Sequence, residues 1–110
     1  MHLSARRLGT ITIFDVTGDI DLATSPELRL ALLREIRDAR RARVVVNLTA
    51  VRYMDSSGLA SLVESLKAAR DLGSRFVLFG LNTTVREVFH ISKLTTFFEI
   101  HDDEEQSLAP

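Results

Sequence analysis

The sequence predicts an α/β domain built on a mixed, mostly parallel β-sheet. Strand-like and helix-like segments alternate from Ile11 onward, a pattern that favours parallel strands joined by right-handed helical crossovers. Residues 44–48 and 76–80 are continuous apolar runs, typical of strands buried on both faces. Two short segments on either side of Gly9-Thr10 can form a hairpin, which would add an antiparallel strand. The 110 residues fit one domain, and we assign it the range 1–110.

The first half of the chain predicts two strands and one helix. Residues 2–7 form the first strand, and residues 11–17, rich in β-branched and aromatic side chains, form the second. We expect residues 18–23 to be a connecting loop. A hydroxyl residue, proline and glutamate follow at 24–27, and each is favoured at a helix start. The apolar residues of this helix recur at helical spacing: Leu28, Ala31, Leu32, Ile36 and Ala39.

The second half predicts two more helices and three more strands, the first two of which are residues 44–48 and 76–80. A helix follows from Gly58, and Gly73 lies where a left-handed residue is expected to end it. Asn82 or Thr84 is expected to cap the next helix. Residues 97–100 form a last short strand, and residues 102–109 form a final helical turn or two, or a frayed end.

Composition excludes several classes of protein. The net charge of −1 creates no overall field for nucleic acid or an anionic membrane. The chain has no cysteine, which removes disulfides, thiolate catalysis and Cys-based zinc sites, and its three histidines are scattered. No apolar run approaches the roughly 20 residues of a membrane span, and the N-terminus lacks the apolar stretch of a signal peptide. We therefore expect a cytoplasmic protein with no metal or other cofactor, no nucleic-acid partner and no direct membrane insertion.

The segment Met54–Leu59 carries the most chemical information. It follows a buried strand, so it is expected at the carboxyl edge of the sheet, where α/β folds place functional groups. A hydroxyl beside a carboxylate at a helix start is well placed to carry a phosphate, and the free N–H groups there favour negative charge. The alternative is structural, because Asp55, Ser56 and Ser57 are all good helix caps worth about 1 kcal/mol. Local sequence alone leaves both interpretations of Ser56 open.

Enzymatic interpretations of this segment are weaker. A hydrolase nucleophile elbow needs glycine two residues before and two after the serine; Gly58 satisfies the second position, but Met54 occupies the first. His90 could be offered as a base, yet a lone helical histidine is more often a partly buried packing residue. No phosphate-binding Gly-Lys-Ser/Thr loop is present. We expect a protein that is not an enzyme, and a hydrolase remains the least favoured hypothesis.

Four stretches of the chain resemble the STAS family, named for sulfate transporters and anti-sigma factor antagonists, and above all its small single-domain bacterial antagonists. The stretches are Gly18–Asp21 with Thr24, Val45–Leu48, Tyr53–Leu59, and Val85–Phe89 with Leu94. The resemblance implies a sheet with helices packed mainly on one side. Lys93 departs from the pattern, because many relatives carry glycine after the third helix.

The resemblance also implies a regulatory phosphoprotein in signalling and transcription. Ser56 matches the family's phosphorylated serine, with Ser57 as the fallback. The kinase would be an anti-sigma factor with serine kinase activity, and a serine phosphatase would reverse the mark. The unphosphorylated protein would bind the anti-sigma factor and so release a sigma factor.

The expected partner surface combines the acidic loop, the serine motif and exposed positions early in the second helix. Met54 is either a core residue or an exposed contact, whereas Ser61 and Glu64 are expected to be exposed. The candidate partner-binding residues are Asp19, Asp21, Thr24, Met54, Asp55, Ser57, Gly58, Ser61 and Glu64. The alternative function is a non-switching STAS subunit of a larger cytoplasmic regulatory or lipid-transport complex.

Overall fold

The computed structural model describes all residues, 1–110, and contains five strands and four α-helices. The strands are β1 (His2–Leu8), β2 (Ile11–Ile20), β3 (Arg43–Met54), β4 (Arg75–Phe79) and β5 (Glu99–His101). The helices are α1 (Ser25–Leu33), α2 (Ser56–Asp71), α3 (Thr83–Ile91) and α4 (Glu104–Leu108). None of these helices is both long enough and apolar enough to cross a bilayer.

The strands form one mixed sheet in the order β1-β2-β3-β4-β5. β1 runs antiparallel to β2, and every other neighbouring pair is parallel. Gly9, at the turn between β1 and β2, has φ of +60°, a conformation that glycine adopts without strain. The predicted hairpin and the predicted mixed, mostly parallel sheet are both confirmed.

The two faces of the sheet are covered unequally. Helices α1, α2 and α3 pack on one face and bury the main apolar core, in which Leu32, Leu62 and Phe89 are completely inaccessible. The other face buries a smaller cluster of Ile13, Val45, Val77 and Phe79, which Leu108 of α4 partly covers. The expectation of helices mainly on one side is therefore confirmed.

Strands β2 and β3 are longer than the sequence predicts. Gly18–Ile20, expected to begin a loop, continue β2, because β3 also continues and pairs with it as far as Met54. The register shifts between Asp15 and Thr17 and again between Gly18 and Asp19. The two strands therefore end side by side and bring the acidic loop next to the serine motif.

The helix boundaries also correct several expectations. The Thr24 side chain does not cap α1, whereas Asn82, and not Thr84, caps α3 by accepting a hydrogen bond from the Val85 N–H at 2.8 Å. Helix α1 continues as a π-helical segment, Arg34–Asp38, whose wider turn rotates the following residues away from their α-helical positions. Ala39 is therefore exposed. Near the C-terminus, residues 95–97 form a 3₁₀ turn, so that β5 begins two residues later than predicted.

Candidate functional site at the start of helix α2

Asp55 caps helix α2. Its backbone is extended, with φ of −99° and ψ of −174°, and its Oδ1 accepts hydrogen bonds from the N–H groups of Ser57 at 2.9 Å and Gly58 at 3.1 Å. The helix consequently begins at Ser56, two residues before the predicted start. Because Asp55 fills the capping role, the structural explanation for the Ser56 hydroxyl is removed.

The two adjacent serines lie in different environments. Ser56 is exposed, and its hydroxyl has no hydrogen-bond partner within the protein. Ser57 is half-buried, and its Oγ donates a hydrogen bond to Asp55 Oδ1 at 2.5 Å. Only the first hydroxyl is therefore free to react without breaking a bond of the folded chain.

The Asp55 carboxylate is held in its ionised form. The hydrogen bond from the Ser57 hydroxyl, followed by those from the backbone N–H groups of Gly58, Ser57 and Leu22, lowers the pKa of Asp55 from its ordinary value. The Asp55 N–H in turn donates to the Ile20 carbonyl oxygen at 3.1 Å. A fixed negative charge thus lies next to Ser56 at neutral pH.

Gly58 allows the start of α2 to pack closely on the ends of β2 and β3. A Cβ atom at this position would lie 2.7 Å from Cγ2 of Ile20 and 2.8 Å from Cγ of Met54. No larger residue fits without displacing one of these buried side chains. The motif glycine therefore has a packing role, and because it is buried and has no side chain it offers a partner little to contact.

The acidic loop between β2 and α1 is organised by Asp21. Its Oδ1 accepts hydrogen bonds from the N–H groups of Ala23 at 3.0 Å and Thr24 at 3.1 Å. The Thr24 hydroxyl accepts a bond from the Asp21 N–H at 2.9 Å and donates one to the Asp19 carbonyl oxygen at 3.0 Å. The Asp19 carboxylate, at the partly exposed end of β2, lies 3.5 Å from the guanidinium of Arg52. Asp21 and Thr24 therefore shape the loop, while Asp19 carries accessible charge.

Two of the candidate partner-binding side chains are inaccessible. Met54 is 0% exposed, so the core interpretation of this residue is correct. The expectation that Ser61 is exposed is wrong: it lies on the side of α2 that faces α1, and its hydroxyl is within hydrogen-bond distance of the Ser25 and Ser57 carbonyl oxygens. Glu64 is half-buried and is bound by both Nε and Nη2 of Arg29 on α1.

A shallow groove beside Ser56 was not predicted. It has a volume of about 390 Å³ and lies between α2 and the turn that follows α3. Its lining residues are Ser56, Leu59, Ala60, Val63, Glu64, Lys67, Ser92 and Leu94. Helical spacing places Ser56, Ala60, Val63 and Lys67 along one side of α2, and this part of the groove can be inferred from the sequence. No local sequence pattern indicates that Ser92 and Leu94 pack beside that side of the helix.

The exposed side chain of Leu22 was not predicted from the sequence either. It lies in the acidic loop with 77% of its surface exposed, while its neighbour Ile20 is completely buried. Its backbone N–H is close enough to the Asp55 carboxylate to contribute to the lowered pKa of that group, so this apolar side chain lies at the same edge as Ser56. The site therefore consists of an exposed hydroxyl, fixed carboxylates, an exposed leucine and an apolar groove, an arrangement suited to recognition by another macromolecule.

The protein-family model of the STAS domain matches residues 2–107 of this chain. The chain belongs to the STAS family. Among curated relatives, the anti-sigma-B factor antagonist of Listeria monocytogenes is 36% identical over 105 residues, which cover 94% of this chain and 90% of the relative. The anti-sigma-B factor antagonist of Staphylococcus aureus is 32% identical and covers 82% of each chain.

Solved structures share the fold at lower sequence identity. An anti-sigma factor antagonist from Mycobacterium paratuberculosis superposes with a TM-score of 0.86 at 20% identity, covering 97% of this STAS chain and 90% of that one. The Bacillus cell fate determinant SpoIIAA in its phosphorylated form superposes with a TM-score of 0.75 at 19% identity, covering 96% of each chain. These similarities support the five-stranded architecture described above.

Proposed function

We propose that this STAS protein is an anti-sigma factor antagonist, a non-enzymatic cytoplasmic binding module switched by phosphorylation of Ser56. In its unphosphorylated form it binds an anti-sigma factor that has serine kinase activity, and a sigma factor is released. A serine phosphatase restores this form. The curated relatives named anti-sigma-B factor antagonists, which match nearly the whole chain, support the role. The observation that carries the switch is the Asp55 cap, which leaves the neighbouring Ser56 hydroxyl exposed and unbonded.

The environments of the two serines favour Ser56 as the phosphoacceptor. Phosphorylation of Ser57 would break its 2.5 Å hydrogen bond to Asp55 and bring a second negative charge against that carboxylate. The same carboxylate binds two backbone N–H groups, so the helix cap would be disturbed as well. Ser56 requires neither change.

A phosphate on Ser56 has no evident partner within the chain. The N–H groups of Ser57 and Gly58 are already occupied by Asp55, so most of the expected anion-binding capacity of the helix start is used. Arg52, an arginine near the end of β3, lies against Asp19 of the neighbouring strand. The roughly −1.5 to −2 charges of the phosphate would therefore be presented to the partner. Like charges meeting at an interface cost several kcal/mol, and each 1.4 kcal/mol is about tenfold in affinity.

The test uses purified protein with its cognate anti-sigma factor. We expect Ser56→Ala to bind with an affinity close to that of the wild type and to take up no phosphate, and Ser56→Asp to bind about tenfold or more weakly. Ser57→Ala is the matched control and should still be labelled. Calorimetry measures binding, and mass spectrometry maps the phosphate. Full labelling of Ser56→Ala would disprove the assignment.

A stability measurement separates charge repulsion from unfolding. Because a negative charge is favourable near a helix N-terminus, phosphorylated protein should keep its free energy of unfolding or gain less than about 1 kcal/mol. Weaker binding together with unchanged stability supports the switch. Loss of the folded state on phosphorylation would contradict it. Co-purification with a transporter ATPase and no phosphate at either serine would favour a non-switching subunit instead.

A further inference from the structure

A second polar surface lies along α3 and the turn that follows it. Two neighbouring depressions, of about 310 and 230 Å³, share His90 and Thr95 as lining residues. Arg86 and Glu87 line the larger one, and Lys93 and Thr96 line the smaller one. His90 is exposed and not partly buried as the sequence suggested, because it lies on the outer side of α3. Three basic residues, Arg86, His90 and Lys93, and three threonines, Thr83, Thr95 and Thr96, thus line one continuous surface.

The charges of this surface are not satisfied within the chain. Arg86 and Lys93 form no ion pair, whereas Arg6, Arg29 and Arg75 are each bound to a carboxylate. Glu87 is the only acidic residue among the lining residues of the two depressions. The local balance therefore favours an anion, although the whole chain carries a net charge of −1.

Thr95 provides an independent indication of a ligand. Its Oγ1 atom is buried and has no hydrogen-bond partner, and it is the one buried side-chain polar atom in the protein without a partner. Such an atom lowers stability unless something binds it. Thr95 lines both depressions, so a rotation of its side chain toward them would let this hydroxyl donate its hydrogen bond to an oxygen of a bound anion.

Lys93 is held in a conformation that glycine would adopt more easily. Its φ is +58°, in the left-handed region, where a Cβ atom costs free energy. It follows the end of α3, and its N–H donates to the His90 carbonyl oxygen at 3.0 Å. A charged residue at a position where glycine would cost less free energy, with its ammonium group unpaired, is consistent with a use for that charge.

We propose that this surface, formed by Arg86, His90, Lys93 and Thr95, binds a small phosphate-bearing anion. Arginine offers paired N–H donors, lysine a compact positive charge and threonine a hydroxyl donor, the groups that recognise phosphate oxygens. The anion is inorganic phosphate or the phosphate group of a small phosphomonoester. The site does not include Ser56, and it does not depend on the proposed switch.

The test is an NMR titration of the unphosphorylated protein with inorganic phosphate, and in a second arm with methyl phosphate, at constant ionic strength. We expect saturable amide shifts in residues 86–96 and none at Ser56. The arm with the tighter binding identifies the source of the phosphate group. A parallel titration with chloride measures the effect of salt alone, and shifts equal to those of phosphate would overturn the site.

Two variants make the proposal falsifiable. Thr95→Val removes the unpaired hydroxyl and should maintain or raise the unfolding temperature while weakening phosphate binding severalfold. Lys93→Gly relieves the strained backbone and should raise the unfolding temperature while weakening binding about tenfold. Arg34→Gln, which removes an exposed arginine of the π-helical segment after α1, is the control and should bind phosphate as the wild type does. Wild-type affinity in both site variants, or an equal loss in the control, would reject the site.

Discussion

Carboxylates at the two edges of the parallel sheet accept hydrogen bonds from different kinds of donor. At the amino edge, where β2 to β5 begin, carboxylates are bound by arginines: Glu35 by Arg7, and Glu99 by Arg75. At the carboxyl edge, Asp21 is bound by backbone N–H groups, and Asp55 is bound by backbone N–H groups and the Ser57 hydroxyl. The hydrogen bonds are satisfied at both edges, but the negative charge is compensated by cations mainly at the first.

This difference shows why one edge suits regulation and the other suits stability. An arginine–carboxylate pair has little net charge, so it responds weakly to a further charge nearby. A carboxylate held by neutral donors keeps its full negative charge, and a phosphate added beside it adds to the same field. The carboxyl edge is therefore the part of this fold in which a single phosphate alters recognition most.

The largest expected effect is at the amino edge. The Arg75 guanidinium, with a smaller contribution from His101, lowers the pKa of Glu99 to about 2. A lowered folded pKa stabilises the protein above the unfolded value, and this stability is lost as the pH falls from roughly 4.5 to 2. We expect Glu99→Gln to lose about 2 kcal/mol at pH 7 and to show a flatter pH dependence in urea denaturation. A parallel acid profile for variant and wild type would contradict this.

A smaller effect is expected at the carboxyl edge. Asp55→Ala removes the cap of α2 and should lower the free energy of unfolding by about 1 kcal/mol, as measured by urea denaturation. Asp55→Asn is the control, because asparagine caps as well but carries no charge. If the asparagine variant is as unstable as the alanine variant, charge and not capping explains the role of Asp55.

The smallest expected effect concerns Arg52, an exposed cation at the carboxyl edge of the sheet. Arg52 is 80% exposed and its pair with Asp19 spans 3.5 Å, so Arg52→Gln should change the free energy of unfolding by less than about 0.5 kcal/mol. The same variant should increase the loss of partner affinity caused by phosphorylation, since less positive charge remains nearby. Calorimetry of both phosphorylation states measures this difference. If the ratio of the affinities of the unphosphorylated and phosphorylated forms is the same in Arg52→Gln and in the wild type, Arg52 does not weaken the effect of the phosphate charge.

Local sequence patterns predicted the elements well where one signal dominated. The apolar runs at β3 and β4 identified buried strands, and Gly73, with φ of +70°, ends α2 as expected. The motif also identified the edge at which Ser56 lies. These features depend on neighbours in the sequence, so they can be inferred without knowledge of the fold.

Features that depend on distant contacts were not predictable. The extension of β2 through Gly18–Ile20 follows from pairing with β3, and the burial of Ser61 follows from packing against α1. Three adjacent residues could all cap α2, and only the folded backbone selects Asp55. The groove beside Ser56 requires Leu94, which lies far along the chain. Where several neighbouring residues could each fill a role, the tertiary structure therefore decides which of them does.

The close packing of Gly58 on Ile20 and Met54 has a thermodynamic consequence for recognition. It fixes the first turn of α2 to the sheet before any partner arrives, so docking should require little ordering of this chain and lose little conformational entropy. Affinities measured for the hydroxyl, alanine, aspartate and phosphate forms of position 56 then report mainly on steric fit and charge. A series of such variants would make this protein a calibrated probe of the electrostatic potential on its partner's surface.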